Sequence, residues 1–273
     1  MLSFLIDKSE KQSKNKMTQY KLRNWIKPQK LAWLYLNTEP RAIHLLDENP
    51  VMIVWSHLSA NPAAIHLLEA NPKKIDWINL SENPAALHLL KANPRMIDWV
   101  RLSQNPGAIE LLEANPDKIC WYSLSLNTSA IHILERNLDK VDWINLSQNP
   151  AAINILTENY KRIDWTHLSL NPSAMHLLKA NQNKIYWSYL CENPSALSLL
   201  QERPDKIDWS KLSKNPAAIH LLKENQNKVD WYYLTLNPEI FVPEDKDYWD
   251  SITFCIYIFL HTIFVTHLLN RLL

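Results

Sequence analysis

Residues Asp76 to Ile97 read DWINLSENPAALHLLKANPRMI, and this 22-residue unit recurs about ten times along the chain. Trp33, Trp55, Trp77, Trp99, Trp121, Trp143, Trp165, Trp187, Trp209 and Trp231 mark its register at a constant interval, with Trp25 and Trp249 outside the series. The frame runs without insertion from about Pro28 to Asn237. A unit this short cannot bury its apolar face alone, so neighbouring copies must complete one another's core in a stacked array.

Two Asn-Pro pairs punctuate most units, as at Asn61-Pro62 and Asn71-Pro72. Each pair predicts a helix start. Asn caps the free N–H groups of a first turn, the residue before proline is driven to extended angles, and proline suits the first helical position. Where Leu138, Tyr160, Gln182 or Gln226 replaces the second proline, Asn still precedes it. The first segment, PAAIHLLEA (Pro62 to Ala70), places Ala64, Ile65, Leu67 and Leu68 at helical spacing. Alanine recurs at the Ala64 position from Ala42 to Ala218, which predicts close approach between neighbours. The second segment, PKKIDWINLS (Pro72 to Ser81), fits either a full helix or a single turn followed by a short helix capped by Asp76. Leucine-rich repeats have a similar period, but their strands need alternating leucines where this chain has proline every 10 or 12 residues. A lone glycine, Gly107, also favours helices over tight β-turns.

Lys and Arg total 29 against 28 Asp and Glu, so no bulk field gathers nucleic acid or an anionic membrane surface. Cys120, Cys191 and Cys255 lack paired spacing, which argues against a disulfide framework and a zinc site and for a reducing compartment. The apolar start Met1 to Ile6 is too short for a secretion signal. His44, His66, His88, His132, His176 and His220 form a ladder, but Glu110, Asn154 and Ser198 share its register, and adjacent helices pack too far apart for one metal ion. The ladder reads as a solvated face. Asp76, Asp98, Asp142, Asp164, Asp208 and Asp230 read as caps, and the Trp ladder as core. No nucleophile with a base, phosphate loop or metal motif is present, so neither enzymatic activity nor a cofactor is expected.

The run NPAAIHLLEANPKKIDWINLSENPAALHLLKANPRMIDW (Asn61 to Trp99) resembles a repeat family abundant in uncharacterised proteins of large DNA viruses of protists. The resemblance covers about three quarters of the chain, up to NPEIF (Asn237 to Phe241). It implies a virus-encoded protein acting in a host cell and carries over no activity or catalytic residue. Members of that family often continue past this closing motif into a charged helical tail, whereas this chain continues through VPEDKDYWD (Val242 to Asp250) into an apolar segment.

The expected fold is all-α: an elongated α-solenoid of about ten two-helix repeats with a C-terminal apolar helix. The expected domains are a basic, flexible arm at 1–27, the repeat body at 28–241, an acidic linker at 242–250 and an apolar helix at 251–270. The last, SITFCIYIFLHTIFVTHLLN, is uncharged over 20 residues, about the thickness of a bilayer core. It is a candidate tail anchor that would leave the body in the cytosol, with a cap on the last repeat as the alternative. The expected function is protein-protein interaction, with a nucleic-acid-binding helical repeat as the other reading. The two residues after each Trp vary on a fixed framework, which points to Arg101, His167, Tyr189 and Tyr233 as partner-binding residues.

Overall fold

A computed structural model describes residues 19–244. Residues 1–18, most of the expected arm, and 251–270, the expected apolar helix, lie outside the described residues. The described chain is mostly helical and forms two units, one spanning Trp25–Ile240 and the other containing the described residues 19–24 and 241–244. In the smaller unit, β1 (Tyr20–Leu22) pairs antiparallel with β2 (Phe241–Pro243), with Lys21 opposite Val242. Residues 20–22, assigned to the arm, are therefore a strand.

Each repeat alternates tight turns with short helices. In the second unit a 3-10 turn at Pro62–Ala64 leads into the α-helix Ile65–Ala70, and a second 3-10 turn at Pro72–Lys74 leads, after an extended break, into Trp77–Leu80. The break settles the second segment as a turn followed by a short helix. Asp76 caps that helix, its carboxylate accepting the Asn79 N–H at 3.0 Å. Asp98, Asp142, Asp164, Asp208 and Asp230 do the same in their own units.

The two Asn-Pro pairs have different roles. Asn61 is a true N-cap, its Oδ1 accepting the Ala63 N–H at 2.9 Å, and the cap survives at Asn127, where no proline follows. Asn71 makes no side-chain cap; its Nδ2 donates to the Leu67 carbonyl at 2.9 Å and so closes the helix before it. A 3-10 helix still starts at Pro72, so only the expectation that this Asn side chain caps it is corrected. This role needs only an amide four residues past a free carbonyl, which is why Asn persists where proline does not.

The N-cap amides also join the units. Asn83 Nδ2 donates to the Ser59 carbonyl at 2.9 Å and the Asn61 carbonyl at 3.0 Å, both in the preceding unit. The pattern repeats at every N-cap Asn from Asn61, which reaches Asn37 and Glu39, to Asn237, which reaches Ser213 and Asn215. A hydroxyl makes a second link: Ser59 Oγ donates to the Trp55 carbonyl and accepts the Asp76 N–H of the next unit at 3.0 Å. Both polar residues are fully buried. Around them lie three apolar rows with essentially no exposure, represented by Leu80, Ala86 and Leu90. The alanine row allows the close approach expected of it, because the first 3-10 turns of neighbouring units pack directly together.

The tryptophans differ from the expectation. All ten are half-buried, and eight carry a basic side chain across one ring face, from Lys184 over Trp165 at 4.3 Å to Arg203 over Trp187 at 6.0 Å. A ring with a hydrated cation on one face cannot be interior. Trp143 Nε1 is buried without a hydrogen-bond partner, and nothing in the structure explains it.

The expected elongated stack is also revised, because the larger unit closes on itself. Thr235 Oγ1 donates to the Trp231 carbonyl and accepts the Ala32 N–H at 3.0 Å, as Ser59 does for Asp76. Lys30 lies 4.9 Å over Trp231, as Lys74 lies over Trp55. The tenth unit is thus split: Trp231–Ile240 supplies its Trp helix and first turn, and Pro28–Lys30 supplies its second turn. Glu39 occupies the N-cap position of the first unit and has no amide to donate. Instead Arg41 Nη1 donates to the Pro238 carbonyl at 2.7 Å and to Glu239 at 3.1 Å.

Two asparagines of one unit test this division of labour. Asn149→Ala removes a cap and leaves the buried Ser125 carbonyl without its donor, and should cost about 3 kcal/mol. Asn159→Ala removes one bond at a helix end and should cost about 1 kcal/mol. Chemical denaturation of the two variants checks the difference, and equal midpoints would contradict it.

Candidate functional site

The Trp helices of consecutive units lie side by side, so the residue two places after each Trp belongs to a continuous row. Arg101, His167, Tyr189 and Tyr233 all occupy this register. His167 stacks edge-on against Tyr189 with ring centroids 5.8 Å apart, and Tyr186 meets Tyr189 at 4.9 Å. Lys211 places its ammonium 4.8 Å from the Tyr233 centroid. Tyr233 touches Tyr232, and Tyr232 packs against Tyr35 across the closure, where the two hydroxyls hydrogen-bond. The aromatic row therefore crosses the join between the last and first units. Arg101 stands apart from it, exposed, and pairs with Glu82 at 2.8 Å.

Beside this row runs a second, formed by the fifth residue after each Trp. Gln148, Leu170, Glu192, Lys214 and Leu236 come from five successive units and line one hollow of about 400 Å³ with Pro194, Pro216 and Pro238. A hollow shared by five units exists only because the array bends toward that side. The Glu192–Lys211 pair at 3.2 Å joins the two rows, and the Glu192–Lys214 pair at 2.9 Å runs along the second. Burial works against the Lys211 charge, but the bond and charge of Glu192 outweigh it and raise the ammonium above its usual range. Sequence reasoning missed the hollow's residues. Their signal was present, because this position runs from Thr38 through Leu126 to Lys214 on a fixed framework, as the two positions after Trp do.

The remaining candidates fall elsewhere. His66, His88, His132, His176 and His220 are exposed, and His88 and His132 pair with Glu69 and Glu113 at 2.9 and 3.0 Å. No group of three His, Cys, Asp or Glu that could hold a metal occurs among the described residues. A smaller cleft of about 270 Å³ lies between two units, lined by Glu113, Pro116, Trp121, Arg136 and Lys140 among others. Cys191 takes the place of the linking serine and accepts the Asp208 N–H at 3.3 Å, and burial pushes its thiol pKa up. The row's chemistry is that of contact: ring faces, hydroxyls and paired charges on a bent surface.

His167 also bonds Asp164, ring Nδ1 to carboxylate Oδ1, at 2.9 Å. Partial burial works to raise the Asp164 pKa, but the backbone and side-chain hydrogen bonds from His167 overcome it and lower the carboxyl below its usual value. A lowered carboxyl stabilises the fold above its unfolded pKa, and that contribution is lost as pH falls through the folded value. His167→Ala should therefore move the Asp164 carboxyl upward in an NMR titration. An unmoved titration would leave the pair without effect.

No protein-family model, curated protein or solved structure matches the chain.

Proposed function

We propose that this chain is a non-enzymatic scaffold whose repeat body binds a protein partner along its concave side. The observation that carries the reading is the pairing of two rows that vary from unit to unit, one aromatic and basic, the other lining the five-unit hollow. The framework beneath them, built of buried Asn, Ser, Leu and Ala, repeats with little change. Variation on a fixed framework is how stacked repeats acquire specificity. The paired charges of Glu192, Lys211 and Lys214 suit a polypeptide better than a polyanion, because neither cation is left to neutralise a phosphate.

Residues 251–270 complete the proposal as a tail anchor that leaves the body in the cytosol of a host cell. No helix among the described residues is long and apolar enough to cross a membrane. The anchor reading therefore rests on the length and uncharged character of that segment.

Two measurements test the proposal. Replacing Arg101, His167, Tyr189 and Tyr233 together with Ala should abolish capture of the partner while leaving the helical circular dichroism unchanged; unaltered affinity would remove the concave row from the binding surface. Alkaline carbonate should leave the full chain in the membrane pellet and release a version ending at Asp250. A full chain that washes off would overturn the anchor.

A further inference from the structure

The second 3-10 turns carry a different chemistry from the concave side. Across the ten units these triplets contain eleven Lys or Arg against three Asp, and all eleven basic residues are exposed. Seven of these cations lie over Trp rings, and in six units the residue after Trp is exposed. Ile78, Val100, Tyr122 and Ile144, in four successive units, are 56%, 53%, 61% and 48% exposed. Where the triplet lacks its last cation it offers methionine instead: Met52 is 40% exposed, beside Val51 at 90%, and Met96 is 45% exposed. One edge of the repeat body therefore combines cations, tryptophans and outward-pointing large apolar side chains.

We infer that this edge rests on an anionic membrane surface, with its basic residues on lipid phosphates and its projecting apolar residues at the acyl boundary. Lys and Arg near such a surface are drawn to anionic headgroups, and their stems lie along apolar surface while the charge stays wet. Tryptophan and tyrosine favour the same interfacial layer. A nucleic acid would satisfy the cations but leave Ile78, Val100 and Ile144 in water. An uncharged 20-residue segment in the same chain is sized to hold the body within reach of headgroups. The contact goes beyond anchoring, because it assigns a lipid-facing role to the folded body itself.

The test uses the full chain, made by cell-free synthesis in the presence of vesicles of neutral phosphatidylcholine or of phosphatidylcholine with one third phosphatidylserine. Both sets carry brominated acyl chains, which quench nearby tryptophan, and Trp249 is replaced by Phe so that emission comes from the body. Anionic vesicles should quench the body strongly and neutral ones weakly. Changing Lys118, Lys140, Lys184 and Lys228 together to Glu, or more gently to Gln, should cut quenching by anionic vesicles at least fivefold. Changing Ile78, Val100, Tyr122 and Ile144 together to Ser should also reduce it. The carbonate-resistant fraction should stay unchanged in every variant, which separates this contact from the anchor. Equal quenching by both vesicle types, or quenching indifferent to the variants, would overturn the inference. Steeply salt-dependent binding to single-stranded RNA without vesicle quenching would assign the cations to nucleic acid and overturn it as well.

Discussion

The buried asparagine at each first turn holds the body together because one side chain faces two units. Its oxygen caps its own turn, and its nitrogen donates to two carbonyls of the unit before it. An amide sealed from water must satisfy both ends or cost several kcal/mol, so the position fixes the distance and angle between neighbours. Nine repetitions of one fixed step make a curve. The linking hydroxyl imposes the same step from the opposite direction, reaching forward to the next unit.

A repeating step that always needs a neighbour leaves two ends unsatisfied. In an open array those ends would require caps with a polar outer face. Here the larger unit resolves them internally. The Thr235 hydroxyl has its N–H partner in Ala32, and, where Glu39 has no amide to donate, Arg41 ties the first unit to the last through Pro238 and Glu239. Closure depends on split ownership of the tenth unit, with its second turn coming from the start of the chain.

Much of this was legible in the residues. The constant interval between tryptophans fixed the unit, the Asn-Pro pairs marked where its 3-10 turns begin, and Asp76 was recognisable as the cap of the Trp helix. Three things were not. The second asparagine looks identical to the first in one dimension, and only the carbonyl four residues before it shows that it ends a helix. Tryptophan suggests an interior, yet the cation three residues before the next Trp covers its outer face. Closure leaves almost no trace, because it depends on the accumulated angle of ten steps, and no single residue encodes an angle. Of the candidate site, the row containing His167, Tyr189 and Tyr233 was visible as variation. The neighbouring row of Gln148, Leu170 and Glu192 was overlooked, although it varies as freely.

Closure is the claim on which the account of curvature and concave surface rests, and distance measurements between paired spin labels test it most directly. One pair, at Ser210 and Leu34, sits two units apart across the join; a reference pair, at Ile78 and Tyr122, sits two units apart within the array. A closed body predicts the same separation for both pairs. An open array would put the first pair eight steps apart, several-fold farther than the reference at roughly 8 to 10 Å per packed helix, and that result would contradict the closure.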